Sequence, residues 1–247
     1  MNTATLGLAA AALAVLAGIT GPAEAADTRL FGTVEFRAAS HAALPQWQRV
    51  LDALKSEQPK LNACASSLTA CENRTMKAWG AMVRAYDDAR PADQLQAVNR
   101  FFNSWGYRTD RDVYGRSDYW ATPFEFMSNA GDCEDYAIAK FATLRSMGYG
   151  PETLRLVVLQ DTLRDEAHAV LAVYNNDDVW ILDNLTDAVL SHERLSSYVP
   201  YYSVNEEARW AHVAPTMVLS SSRHGPSAGL KMTRIDMPAD GAPWPLR

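Results

Sequence analysis

The chain has few residues of the kinds that most often carry chemistry or bind metals. Its 247 residues include three cysteines and five histidines, and no pair of histidines has zinc-ligand spacing with a cysteine. It also lacks an excess of positive charge, because its formal net charge is −6, which argues against non-specific binding to nucleic acid. No internal repeat is visible, and no second long apolar segment follows the one at the N-terminus. These absences indicate one ordinary domain with a small set of candidate site residues.

The N-terminal apolar segment, residues 5–19, lacks the Lys or Arg that usually precedes such a run. Gly21 and Pro22 break the segment, and Ala23-Glu24-Ala25 fits the small-x-small pattern of a cleavage site. The run is too short for a comfortable membrane span. We therefore predict a signal peptide over residues 1–25, cut after Ala25, with an uncleaved anchor as the alternative.

The three cysteines are Cys64, Cys71 and Cys133. Export would place them in an oxidising compartment, where disulfides persist. Cys64 and Cys71 can bridge a short loop there, the alternative being that both stay reduced in a helix. Cys133 is then the odd thiol. Because a free cysteine in an exported protein risks wrong disulfides, we expect a functional reason for Cys133.

Cys133 follows Gly131 and Asp132 at the predicted start of a helix, with Asp132 as the N-cap. Unpaired N–H groups in the first turn and the helix dipole favour a thiolate at this position. Asp132, Glu134 and Asp135 oppose that effect, since negative charge raises the pKa of a thiol. Cys133 is therefore either an inert core residue beside capping acids, or a nucleophile whose acids are neutralised by something positive.

Hydrophobic periodicity predicts helices before the cysteine and strands after it. The helices cover residues 45–57, 74–86 and 92–105, and Pro59 is expected to end the first. Residues 109–127 look irregular and aromatic, forming either one wall of a cleft or a packed surface loop. The predicted strands are 154–159, 167–174, 179–182, 201–204 and 209–213, with a turn at Asn176-Asp177 making the second and third a hairpin. Helices followed by an antiparallel meander predict an α+β fold.

Two polar residues of the predicted sheet could meet Cys133. His168 begins one strand of the hairpin and Asp183 ends the next, both away from the turn. Each alone is more typical of a structural residue. Together, Cys133, His168 and Asp183 form a complete set of nucleophile, base and orienter, which favours catalysis.

Residues 45–213 resemble the bacterial transglutaminase-like cysteine proteinases, whose characterised periplasmic members are the LapG-type adhesin proteases. Three segments carry the resemblance: Gly-Asp-Cys-Glu-Asp-Tyr-Ala at 131–137, His-Ala-Val-Leu-Ala-Val-Tyr at 168–174, and Leu-Asp-Asn-Leu at 182–185. The resemblance implies a papain-like or transglutaminase-like core, with the cysteine helix packed on an antiparallel sheet. It also implies that Cys133 is the nucleophile, His168 the base and Asp183 the orienter. The proteinase domain would cover residues 26–213. The proline and serine content of residues 214–247 predicts a loosely packed or partly disordered extension.

The resemblance further implies a calcium ion held by acids that correspond to Asp132, Glu134 and Asp135. On a helix Asp132 and Asp135 share a face, so we expect one ion on these two, with Glu134 reaching back. A divalent cation takes carboxylate oxygens and would cancel the field that keeps the thiol protonated. The alternative is a solvated acidic cap with no ion.

The expected reaction is peptide hydrolysis through a thioester, with the Cys133 N–H as one oxyanion donor and the Tyr119-Trp120 loop supplying a second. Acyl transfer or amide hydrolysis by the same triad is an alternative, as is a calcium-binding adaptor with a vestigial triad. The resemblance implies a periplasmic location, a large surface adhesin as substrate and an effect on biofilm attachment. It also implies an inner-membrane cyclic di-GMP receptor as a restraining partner.

Overall fold

The computed structural model describes residues 29–175 and 178–215. The predicted signal peptide lies outside these residues, as does nearly all of the predicted C-terminal extension. Within the described part, no helix is both long and apolar enough to span a bilayer.

The described residues form helices first and a sheet second, apart from one early strand, which confirms the predicted α+β fold. The helices are α1 (Pro45–Ser66), α2 (Arg74–Tyr86), α3 (Pro91–Asn103), α4 (Asp110–Tyr114), α5 (Pro123–Asn129) and α6 (Cys133–Ser146). The strands are β1 (Val34–Ala38), β2 (Leu154–Asp161), β3 (Glu166–Asn175), β4 (Asp178–Leu182), β5 (Leu190–Ser191), β6 (Tyr198–Val204) and β7 (Arg209–Val213).

All seven strands belong to one sheet, in the order β1-β7-β6-β2-β3-β4-β5. Every neighbouring pair is antiparallel. The predicted hairpin is present as β3 and β4, in which Leu171 pairs with Leu182. Asn176 and Asp177, the predicted turn, lie outside the described residues.

Successive side chains of the central strands point to opposite faces of the sheet, and apolar residues on both sides give it two apolar faces. Leu154, Leu156 and Val158 of β2 pack into the main core with the helices. Val157 and Leu159 join a second, smaller cluster with Leu30, which precedes β1. Helix α6 packs against β2 and β3 on one side and against α1, α3 and α5 on the others. Residues 133–144 are consequently all buried, so the start of α6 is fixed from every side.

Helix α1 does not end at Pro59, so that prediction is wrong. The helix continues to Ser66 with Pro59 inside it. A proline costs a helix one hydrogen bond and some strain. Beyond it, however, Leu61 and Cys64 continue the buried stripe begun by Trp47, and their burial offsets that cost.

The predicted bridge between Cys64 and Cys71 is present, and Cys133 is the free cysteine of the described residues. The bridge ties the end of α1 to the segment that leads into α2. Closing a loop this short constrains the unfolded chain and stabilises the fold by about 2–3 kcal/mol.

Residues 109–127 are not wholly irregular, which corrects a second expectation. Thr109 caps α4, and Gly115 ends it in a left-handed conformation. Thr122 and Glu125 form a capping box around the start of α5, where Pro123 takes the first position. These are ordinary helix-start residues, but the two helices are too short to show a periodic apolar stripe.

Candidate active site

Asp135, in the first turn of α6, stabilises the start of the helix by accepting a hydrogen bond from the N-cap residue Asp132. Asp135 accepts hydrogen bonds from the N–H of Asp132 at 3.2 Å and from the N–H of Ala121 at 2.5 Å. Gly131 leaves room for this arrangement, because a Cβ on Gly131 would lie 2.0 Å from Oδ2 of Asp135. Position 131 therefore requires glycine, because the Asp135 side chain lies too close to its backbone for any Cβ.

Cys133 occupies the first turn of α6 and is only 6% exposed. Its Sγ donates a hydrogen bond to Oε2 of Glu134 at 3.2 Å. Burial raises the pKa of the Cys133 thiol well above its usual value, and the charges of Glu134 and Asp132 raise it further. Positive charge among the neighbouring acids would therefore favour ionisation of this thiol.

His168 and Asp183 are paired. Nε2 of His168 and Oδ1 of Asp183 are 2.9 Å apart, and both side chains are buried. They are not directly opposite in the β3–β4 ladder, since Leu171 pairs with Leu182, but lie on a diagonal of it. Burial raises the pKa of Asp183, but the hydrogen bond and charge of His168 outweigh this and leave it below its ordinary value.

The thiol lies beside the strand that carries this histidine. Helix α6 packs on β3, and the backbone of Ala169, the residue after His168, acts to lower the pKa of the Cys133 thiol. The fold thus pairs His168 with Asp183 and packs the helix of Cys133 on the strand that carries His168.

A second group of acids lies next to the nucleophile. Asp110, Asp132 and Glu134 offer carboxylate oxygens that all lie within 4.8 Å of one another. One oxygen of each is buried and has no hydrogen-bond partner among the described residues: Oδ1 of Asp110, Oδ1 of Asp132 and Oε1 of Glu134. Burial raises the pKa of Asp110 to about 7 and that of Asp132 to about 6. Three converging oxygen donors without partners fit a hard divalent cation.

This group differs from the one expected from the sequence. Asp132 and Glu134 belong to it, but Asp135 does not, because both of its oxygens are engaged by backbone N–H groups. Asp110 takes the third place, which sequence reasoning missed. It reaches the site because Tyr107 and Gly131 form a parallel bridge, a contact that no local pattern announces.

The Tyr119-Trp120 loop contacts the acids around the nucleophile. The N–H of Tyr119 donates to Asp110, and the hydroxyl of Tyr119 donates to Oε1 of Glu125 at 2.7 Å. Trp120 is buried in the main core. The loop is therefore a packed support for Asp110 and Asp135, and its tyrosine hydroxyl is already committed.

Comparison with known proteins shows what the chain is similar to. The family model described as bacterial transglutaminase-like cysteine proteinase BTLCP matches residues 58–217. The chain is similar to calcium-bound Legionella pneumophila LapG, with 31% identity and a TM-score of 0.54 over 70% of this chain and 93% of that one. The EGTA-treated form of the same protein gives 33% identity and a TM-score of 0.53, covering 62% of this chain and 84% of that one. No curated protein matches.

Proposed function

Because this chain belongs to the bacterial transglutaminase-like cysteine proteinases and is a cysteine peptidase, we propose that Cys133, His168 and Asp183 carry its reaction. One observation supports this most directly. His168 lies on β3, the strand against which the helix of Cys133 packs, and is joined at 2.9 Å to buried Asp183, which follows β4. A nucleophile, a base and a residue that orients the base are then all supplied by this chain.

The hydrogen bond to Asp183 determines which nitrogen of His168 acts. Nε2 carries a proton and donates it to the carboxylate, so the neutral ring has its lone pair on Nδ1. Nδ1 takes the proton of Cys133, and Sγ attacks the carbonyl carbon of the scissile peptide bond. The amine leaves with the proton held by His168, and water then hydrolyses the thioester. The N–H of Cys133, in the first turn of α6, would donate to the developing oxyanion.

We propose that Asp110, Asp132 and Glu134 hold calcium. When bound, the cation supplies positive charge that offsets the carboxylates around the thiol and so favours its ionisation. Two observations support the proposal: each acid keeps a buried oxygen without a partner among the described residues, and the Legionella relative occurs in calcium-bound and EGTA-treated forms.

The reactivity of Cys133 tests both proposals. With calcium present, iodoacetamide should alkylate Cys133 at least about tenfold faster than a model thiol at neutral pH, because free cysteine is only a few per cent thiolate there. EGTA should abolish this advantage, and His168→Gln should reduce it. The labelled residue is identified by mass spectrometry. Labelling no faster than the model thiol in calcium would contradict the assignment of Cys133 as a nucleophile.

We further propose that the protein is exported to the periplasm and cuts a large surface adhesin, so affecting biofilm attachment. We also propose that an inner-membrane cyclic di-GMP receptor restrains it. The family resemblance supports this, as does the Cys64–Cys71 bridge, since disulfides persist in oxidising compartments.

Incubation with surface adhesins from the same cell tests the choice of substrate. The calcium-loaded protein should shorten one adhesin on a gel, and Cys133→Ala should not. A fluorescent primary amine in the mixture separates hydrolysis from acyl transfer, because only acyl transfer attaches the amine to the product. If no adhesin is cut by protein whose Cys133 is reactive, the substrate proposal is wrong while the peptidase mechanism stands.

A further inference from the structure

The carboxylate of Asp183 is held on both of its oxygens. Oδ1 accepts from Nε2 of His168 and from the N–H of Leu185, each at 2.9 Å. Oδ2 accepts from the hydroxyl of Tyr198 at 2.5 Å. The first two contacts come from the hairpin of β3 and β4 and its exit, whereas Tyr198 comes from β6, on the far side of β2. The tyrosine thus links the acid to a separate part of the sheet.

Tyr198 also contacts the histidine. Its ring meets the ring of His168 edge to face, with centroids 5.9 Å apart and an interplanar angle of 70°. A ring in this position limits rotation of the imidazole, while the hydroxyl limits rotation of the carboxylate. One side chain therefore constrains both members of the pair.

The position of Tyr198 is itself fixed. The side chain is buried, and its N–H donates to the carbonyl of Leu195 at 3.0 Å. Phe31 packs against the ring at 5.9 Å and in turn meets His192 at 6.0 Å. Burial raises the pKa of the Tyr198 hydroxyl far above its usual value, and the charge of Asp183 adds to this. The hydroxyl is therefore a donor throughout the working pH range.

We propose that Tyr198 is a positioning residue of the peptidase site. Its hydroxyl fixes the plane of the Asp183 carboxylate, and its ring fixes the face of His168, so that the base of the proposed triad is held in one orientation. This inference rests on the proposed triad. Without the hydroxyl, Oδ2 would have no hydrogen bond from the described residues, and the carboxylate would hold the Nε2 proton of His168 more strongly.

Tyr198→Phe tests this proposal because it keeps the ring and removes the hydroxyl. We expect kcat for peptide hydrolysis to fall about tenfold or more, the usual effect of losing a residue that orients a site group, with KM unchanged. The pKa of His168, followed by NMR in the calcium-loaded protein, should rise. Tyr149→Phe is the matched control, since it removes the hydroxyl of a partly buried tyrosine that donates to Gln94 at 3.0 Å and follows the end of α6 opposite Cys133. An unchanged kcat and an unchanged His168 pKa in Tyr198→Phe would overturn the proposal.

A double-mutant cycle shows whether Tyr198 acts through Asp183. In an Asp183→Asn background, Tyr198→Phe should have no further effect on kcat. An equal effect in both backgrounds would contradict the positioning role. A measurement on the unaltered protein does not depend on how the variants fold: the hydroxyl proton of Tyr198 should give a downfield NMR resonance that shifts as His168 titrates. A resonance that ignores that titration would also overturn the proposal.

Failure of this inference is distinguishable from failure of the triad. If Cys133→Ala abolishes hydrolysis and Tyr198→Phe behaves like Tyr149→Phe, the triad stands and Tyr198 has no positioning role. If Cys133→Ala still hydrolyses peptide, the triad itself is wrong.

Discussion

At the scale of single residues, the acids beside Cys133 divide into two groups. Asp110, Asp132 and Glu134 each keep a buried oxygen that lacks a partner among the described residues. Asp135, only one position beyond Glu134, has both oxygens occupied by backbone N–H groups. We therefore expect cation affinity to depend on the first three acids and the fold to depend on the fourth.

Substitution separates the two groups. Asp110→Asn should weaken calcium binding at least about tenfold, because it removes one charged oxygen ligand, and should leave stability in EGTA little changed. Asp135→Ala should still bind calcium. It should also lower the free energy of unfolding by about 1–3 kcal/mol, because two N–H groups lose their acceptor. Titration calorimetry and urea unfolding measure these effects.

The matched control is Asp112→Asn, an exposed acid two positions from Asp110. It should change neither calcium affinity nor stability appreciably. If Asp135→Ala abolishes calcium binding while Asp110→Asn does not, the ligand set expected from the sequence is right and the one assigned from the geometry is wrong.

Residue chemistry indicated part of the site in advance. Cys133, His168 and Asp183 are of types that form a triad, and their order along the chain made the set visible. Nothing in the sequence singled out Asp110 or Tyr198, because an aspartate in a predicted loop and a tyrosine near a predicted strand are both common. Their importance comes from contacts between segments distant in sequence, a bridge before α4 for Asp110 and the sheet order for Tyr198.

At the scale of elements, periodicity predicted most of the fold because most elements have one buried stripe or face. Helix α2 and strand β7 have the predicted bounds, Arg74–Tyr86 and Arg209–Val213. Helix α1 continues through Pro59 because the burial of Leu61 and Cys64 outweighs the free-energy cost of a proline inside a helix. Helices α4 and α5 were missed because five or seven residues are too few for a periodic pattern, so that only their caps mark them.

One buried lysine connects helix α6 to helix α3. Nζ of Lys140 donates to Oδ1 of Asn103 at 2.8 Å, and Nδ2 of Asn103 donates to the carbonyl of Asp183 at 2.9 Å. Lys140 is fully buried. Burial lowers the pKa of Lys140 to about 7, although the charges of Asp183 and Asp187 act in the opposite direction.

This shift predicts a pH dependence of stability. The folded pKa of Lys140 is about 7, below the ordinary lysine value of about 10.4. Between these values the unfolded chain binds a proton at Lys140 that the folded protein does not, so the free energy of unfolding rises with pH across this window and levels off below it. Lys140→Met should remove that rise, as measured by urea unfolding from pH about 6 to about 10.

Lys55→Met is the control, because Lys55 is an exposed lysine paired with Asp52, and this variant should keep the wild-type slope. The same slope in Lys140→Met as in the wild type would mean that Lys140 stays charged in the folded protein.

At the scale of the whole molecule, the segment before β1 closes the second apolar cluster. Leu30 is fully buried there with Val157 and Val170. The N–H of Phe31 donates to Nδ1 of His192 at 3.0 Å, which fixes the segment in place. The face of the sheet turned away from the helices therefore depends on a few residues close to the N-terminus.

Leu30→Ala should destabilise the protein by about 3 kcal/mol, because it leaves a cavity in a closed cluster. It should leave the alkylation rate of Cys133 in calcium unchanged while the protein remains folded. Leu163→Ala, at an exposed leucine in the turn between β2 and β3, should cost well under 1 kcal/mol. Equal costs in urea unfolding would show that the second cluster contributes little.

The edge of the sheet where β1 pairs with β7 has a consequence for synthesis. Val34 pairs with Val213, so the first described strand finds its neighbour only among the last. A ribosome adds residues in order, and a contact this distant along the chain forms late. Until β7 has been synthesised, β1 has no strand to pair with, and this edge of the sheet is incomplete. In the export that we propose, this edge of the sheet cannot close until β7 has passed through the translocation channel.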